Sequence, residues 1–239
     1  MNFSGKMPNR FLPAILTMLF VLVSLSTVQA RSRAWYFGAG YLTGSATGEL
    51  NGNQVFYPTD DTVNGPFVYG IDLDEGSGFV INAGYAINKW IAFEVLQIHI
   101  NLDATSAGLD AASAQYTGET LDADLDGFIF AVRPMLPLGP LELFVRFGFG
   151  GYSLGVRRNT VVTANPNLKD SAFGGGGYAF GGGVALSLGR LGIEASYTQH
   201  EVGFDSIDAA GKIGAISRQD MTFKTAMVIL TIHFGRKLK

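Results

Sequence analysis

The 239-residue sequence contains no cysteine, which removes disulfides, thiolate metal sites, thiol nucleophiles and any cysteine-borne lipid anchor. Charge is sparse: Asp, Glu, Lys and Arg together make up 15%, against 47% apolar residues. The formal net charge of −3 offers no basic excess for nucleic acid. After Ala30 no apolar run reaches the roughly 20 residues a spanning helix needs, because Gly and Pro interrupt every candidate. What is plentiful is Gly (32 residues) and aromatics (12%), a mix that suits curved sheets better than helix bundles.

The first 30 residues read as a processing segment. Lys6 and Arg10 form a positive start, Phe11 to Leu25 is apolar, and Val28-Gln29-Ala30 places small residues where a signal peptidase reads. Residues 1–30 are therefore expected to be a cleaved signal peptide and 31–239 the folded domain. Cleavage takes two of the 17 basic residues and none of the 20 acidic ones, leaving a net of −5.

Along residues 31–239 the repeated feature is alternation with a period of two, bounded by turn formers. It predicts eight strands, at Trp35–Ser45, Gly76–Ile87, Ile91–Leu102, Leu125–Met135, Leu141–Leu154, Gly177–Leu188, Leu191–Val202 and Asp220–Phe234. Phe79, Ile81, Ala83, Tyr85 and Ile87 share one face, as do Leu191, Ile193, Ala195 and Tyr197, and Val228, Leu230, Ile232 and Phe234. A soluble barrel has the same period, so the connections must decide. Short links at 88–90, 137–140 and 189–190 alternate with long ones at 46–75, 103–124, 155–176 and 203–219. Short turns on one side and long loops on the other mark a barrel that crosses an outer membrane. The expected fold is all-β: an eight-stranded antiparallel up-and-down transmembrane β-barrel. Trp35, Tyr85, Trp90 and Phe234 fall near its periplasmic edge, and Tyr41, Phe79, Tyr178 and Phe223 near its outer edge, as two membrane-interface girdles.

Three passages carry a family resemblance. They are 84–94 (GYAINKWIAFE), 178–184 (YAFGGGV) and the closing 228–234 (VILTIHF). In these the sequence resembles the OmpA/OmpX-type family of small outer-membrane barrels. The resemblance implies a bacterial outer-membrane location and contact with membrane lipid and lipopolysaccharide. It also implies recognition of the last strand by the barrel-insertion machinery. That signal favours alternating apolar residues ending on an aromatic, whereas here five residues follow Phe234.

Several residue groups are candidates for chemistry. Glu94, Arg133, Glu142, Arg146 and Glu194 fall on the polar face in the periplasmic half, where eight strands leave room only for side chains. Charges held there must pair, either as an ion-pair plug or as a gated pore whose pairs exchange partners. Asp122, Asp124 and Asp126, with Gly127 and Ile129, match the first half of a calcium loop, but Arg133 stands where that loop needs Glu. They read as a solvated or divalent-ion-binding rim. Arg157, Arg158 and Lys169 are placed to meet lipopolysaccharide phosphates, with solubilising charge as the plainer reading. His200-Glu201 has no serine at a recognisable spacing, and Gly174 to Gly177 and Gly181 to Gly183 lack the context of a phosphate cradle. No enzyme, cofactor or resident metal is expected. The expected role is envelope-structural, or binding and adhesion through surface loops, in a monomer. The alternatives are a narrow, porin-like channel for ions or small apolar solutes, and a soluble periplasmic ligand-binding barrel.

Overall fold

The computed structural model describes residues 35–50, 54–56, 68–106, 120–158, 171–209 and 212–234. They form β1 (Trp35–Gly48), β2 (Gln54–Phe56), β3 (Val68–Ala86), β4 (Ile91–Ser106), β5 (Thr120–Leu138), β6 (Leu141–Arg158), β7 (Ser171–Leu188), β8 (Leu191–Ala209) and β9 (Lys212–Phe234). Every pairing is antiparallel, successive long strands are neighbours, and β1 pairs with both β3 and β9. The eight long strands thus close a ring, while β2 adds only to the outer end of β3. Closure leaves no open edge in the ring.

Pairing fixes the geometry. Followed around the ring from Trp35 through Tyr85, Phe93, Val132, Phe147, Phe180, Gln199 and Lys224, it returns to β1 at Ser45, ten residues further on. At standard strand spacing such a stagger tilts the strands by about 40° from the barrel axis. At one end sit the tight turns. Gly139 and Gly189 open two of them with φ of 71° and 72°, a conformation that costs glycine nothing. In the third, the Asn88 side chain accepts from the Trp90 and Ile91 amides at 2.7 and 3.0 Å.

Strands β5 and β6 each have two amphipathic segments of opposite sense. On β5, Phe128, Phe130 and Val132 face outward while Arg133 faces the lumen. Further along the same strand, Leu121, Ala123 and Leu125 face the lumen and Asp122, Asp124 and Asp126 face out. On β6 the outward face changes from Phe147 and Phe149 to Ser153 and Arg157. The outward apolar band runs over Phe128–Leu138, Tyr178–Leu188 and Ala226–Phe234, and a tilted strand needs about 9–11 residues to cross a bilayer. Below the inversion hydrocarbon surrounds the barrel. Above it water does, and the apolar side chains turn inward.

All eight predicted strands are present to within a residue, but they run further outward than the sequence reading placed them. The alternation about one apolar face stops where that face runs out, whereas the ladder continues with its apolar face reversed. The expected connections shrink accordingly, and most of 203–219 is strand, with β8 reaching Ala209 and β9 starting at Lys212. Phe223, expected in the outer girdle, is buried in the lumen beside Phe204, because odd-numbered residues of β9 point inward. The other expected girdle residues, Trp35, Tyr41, Phe79, Tyr85, Trp90, Tyr178 and Phe234, are exposed on the outward face.

Phe147→Arg, in the middle of the apolar band, is expected to cost about 2–4 kcal/mol. Ser153→Arg, six residues along the same face, should shift stability by less than about 0.5 kcal/mol. Denaturant unfolding in lipid vesicles measures both.

Candidate functional site

The lumen is the candidate site, and its periplasmic half is held by one connected ion cluster. Inward positions on β4, β5, β6 and β8 supply Glu94, Arg133, Glu142, Arg146 and Glu194, all buried. Arg133 Nη1 donates to Glu94 Oε1 at 2.8 Å and Glu194 Oε2 at 2.5 Å, and its Nη2 donates to Glu142 Oε1 at 3.1 Å. Arg146 donates from Nε to Glu94 Oε2 at 2.7 Å and from Nη2 to Glu194 Oε1 at 2.8 Å. Each arginine therefore touches both Glu94 and Glu194, which closes a four-membered ring of alternating charge. All five charges expected here from the sequence are brought together.

Neighbours missed in the sequence complete the cluster. Tyr36 on β1 donates its hydroxyl to Glu94 Oε1 at 2.5 Å. Its ring lies over Gly84, where a Cβ would come within 2.0 Å of Tyr36 Cζ. The Arg133 guanidinium stacks 3.5 Å from the Phe144 ring centre. Stacking suits the planar guanidinium and covers the face its in-plane hydrogen bonds leave bare. The inward parity of Tyr36 and Phe144 is the one sequence signal that could have placed them in the lumen, and nothing in their spacing points to these partners.

A neutral layer follows further outward. His200 Nδ1 lies 3.0 Å from the Tyr152 hydroxyl, and Nε2 lies 3.1 Å from Thr225 Oγ1, which donates to the Thr198 carbonyl at 3.2 Å. With the Thr225 proton so committed, Nε2 donates to Thr225 and Nδ1 accepts from Tyr152. Both ring nitrogens are engaged, while Glu201 lies on the opposite face of β8 and accepts from Gln199 and Thr222. His200 and Glu201 thus form no catalytic pair.

Beyond this layer the lumen is apolar. Leu42, Ile98, Ile100, Leu125, Leu154 and Phe204 belong to one buried cluster that extends past the membrane band. Leu50 caps it: after Gly48, at φ 146°, the chain folds back over β9, and the Leu50 amide donates to Met221 Sδ at 3.3 Å.

The remaining candidates lie outside the lumen. Asp122, Asp124 and Asp126 line the outward face of β5, each engaged differently: Asp122 is exposed, Asp124 meets Arg157 at 3.1 Å, and Asp126 meets His99 at 2.8 Å. Among the described residues no group of three or more His, Asp or Glu is placed to hold a metal ion. Arg157 and Arg158 end β6 rather than sitting in a loop, and Lys169 lies outside the described residues.

Removing one member of the cluster leaves buried charge uncompensated. Arg146→Met is expected to cost about 3–5 kcal/mol, and adding Glu94→Gln should recover part of it. Reversible unfolding in vesicles of the wild type, both single variants and the double variant gives the coupling directly.

The fold is shared with known outer-membrane proteins. The barrel of OprG from Pseudomonas aeruginosa superposes with a TM-score of 0.56 at 8% identity, covering 87% of this chain and 98% of that one. Neisserial surface protein A superposes with a TM-score of 0.50 at 14% identity, covering 84% and 97%. Comparison with curated protein sequences finds no significant match. The sequence itself matches the family described as "Outer membrane protein beta-barrel domain" over residues 15–234. With its closed ring and bilayer-high apolar band, the chain belongs to that family of barrels of the bacterial outer membrane.

Proposed function

We propose that this chain is a closed, non-enzymatic barrel that serves the envelope as a structural element and presents its outer end for binding. One observation carries the reading: the lumen is filled along its length, by the ion ring in the periplasmic half and by apolar side chains beyond it. Arg133 and Arg146 are 0% and 1% exposed, which favours a plug over a conducting pathway. Surface contacts fall to the outer extension and the connections above it. There Arg157 offers a guanidinium suited to lipopolysaccharide phosphate, a role that Arg158 and Lys169 would share. The last strand, ending on Phe234, would be read by the insertion machinery, and residues 1–30 would direct export.

The apolar lining favours a second reading, a passage for small apolar solutes that enters from outside and stops at the ring. Planar-bilayer recording separates it from the plug. The expected wild-type trace is silent, and Arg146→Ala introduces a leak. Reproducible wild-type openings that vanish when Glu142 or Arg146 is altered would overturn the plug.

A further inference from the structure

The lipid-facing surface is not uniform. In the periplasmic half it carries a groove of about 460 Å³ between β1, β3, β4, β5 and β6. Trp35, Tyr85 and Phe93 wall its lower end, Phe147 and Phe149 stand at its upper end, and the small side chain of Ala83 lies in its floor. The groove follows the ladder line Trp35, Tyr85, Phe93, Val132, Phe147. That line crosses four inter-strand steps of about 4.8 Å, or roughly 19 Å. At the barrel's tilt it climbs roughly 13 Å, close to the depth of one leaflet of a bilayer whose hydrocarbon is about 30 Å thick.

Its lower mouth is cationic. The β3–β4 turn carries Lys89, whose Nζ is held 5.2 Å from the Trp90 ring centre at headgroup depth. A second groove, of about 620 Å³, repeats the arrangement on β1, β7, β8 and β9, with Ala39 in its lining and Leu188 and Leu191 flanking the Gly189-Arg190 turn. No acidic residue occurs in the three tight turns. Acidic side chains crowd the other end, where Asp72, Asp74, Asp103, Asp122 and Asp126 are exposed.

We infer that these two grooves are binding sites for anionic phospholipid of the inner leaflet, phosphatidylglycerol or cardiolipin. An acyl chain lies along each groove, and the phosphate meets Lys89 at one and Arg190 at the other. An anionic lipid rather than a zwitterionic one follows from the charge. Phosphatidylethanolamine brings its own ammonium to a rim that already holds only cations, whereas phosphatidylglycerol brings a net negative charge.

Native mass spectrometry of the full chain, released from membranes with equal amounts of phosphatidylglycerol and phosphatidylethanolamine, tests the assignment. The wild type should retain up to two lipids enriched in phosphatidylglycerol, by about fivefold for each cation, the weight of one Lys or Arg near an anionic surface. Lys89→Gln with Arg190→Gln, both in exposed turns, should bring the ratio to near one while lipid is still retained. Ala83→Phe, which fills the first groove from the lipid side, should remove one bound lipid, with heat-modifiable gel mobility confirming the folded barrel. A wild-type ratio near one, or enrichment unchanged in the Lys89→Gln/Arg190→Gln variant, would overturn the inference.

Discussion

Within hydrocarbon a peptide group without a partner costs several kcal/mol, and this chain avoids that cost by joining its first strand to its last. The β1–β9 ladder runs from Trp35↔Phe234 to Gly48↔Met221. Joined this way, the ring has a fixed strand number and stagger, and these fix its width. An eight-stranded interior is too narrow for open water and too wide to be left empty. Side chains must therefore fill it, and the nature of the filling follows from what surrounds the barrel at each height.

Where lipid surrounds it, the outward positions are apolar and the inward ones are free to be polar, so charge collects in the lumen. The desolvation cost of buried charge is offset there by pairing, with two arginines bridging two glutamates and Tyr36 and Glu142 adding further bonds, although Arg133 Nε and Arg146 Nη1 are buried without a hydrogen-bond partner among the described residues. The cluster also pins register. A slip of one residue on β5 would carry Arg133 from the ring into the hydrocarbon. Where water surrounds the barrel the arrangement reverses. Asp and Ser face out, and Leu, Ile and Phe pack inward as in a soluble β-barrel. One strand such as β5 thus serves both regimes, changing its apolar face between Asp126 and Phe128.

The ends of the barrel differ as strongly as its two regimes. Among the described residues the exposed tight turns carry Lys89 and Arg190 and no acid, whereas exposed carboxylates dominate the extension on β3, β4 and β5. This polarity gives the molecule a fixed sense in a bilayer of unlike leaflets. It also places the lipid-facing grooves next to the cations rather than the carboxylates.

Much of this was legible in the sequence. Period-two alternation, the tight turns and the missing apolar helix determined an all-β barrel, and parity alone assigned Glu94, Arg133, Glu142, Arg146 and Glu194 to the polar face. Parity is a local property of the extended chain, so it survives without knowledge of partners. Strand ends were not legible, because a pattern tuned to one apolar face has no means of recognising its inversion above the membrane. The same inversion explains why Phe223, expected in a girdle, lies in the lumen. Only the tertiary structure decided that the five charges form a single ring, that Gly84 makes room for Tyr36, and that His200 is held between Tyr152 and Thr225. Those contacts join strands dozens of residues apart, and their meeting depends on the stagger of the closed ring, a quantity that no stretch of the sequence carries by itself.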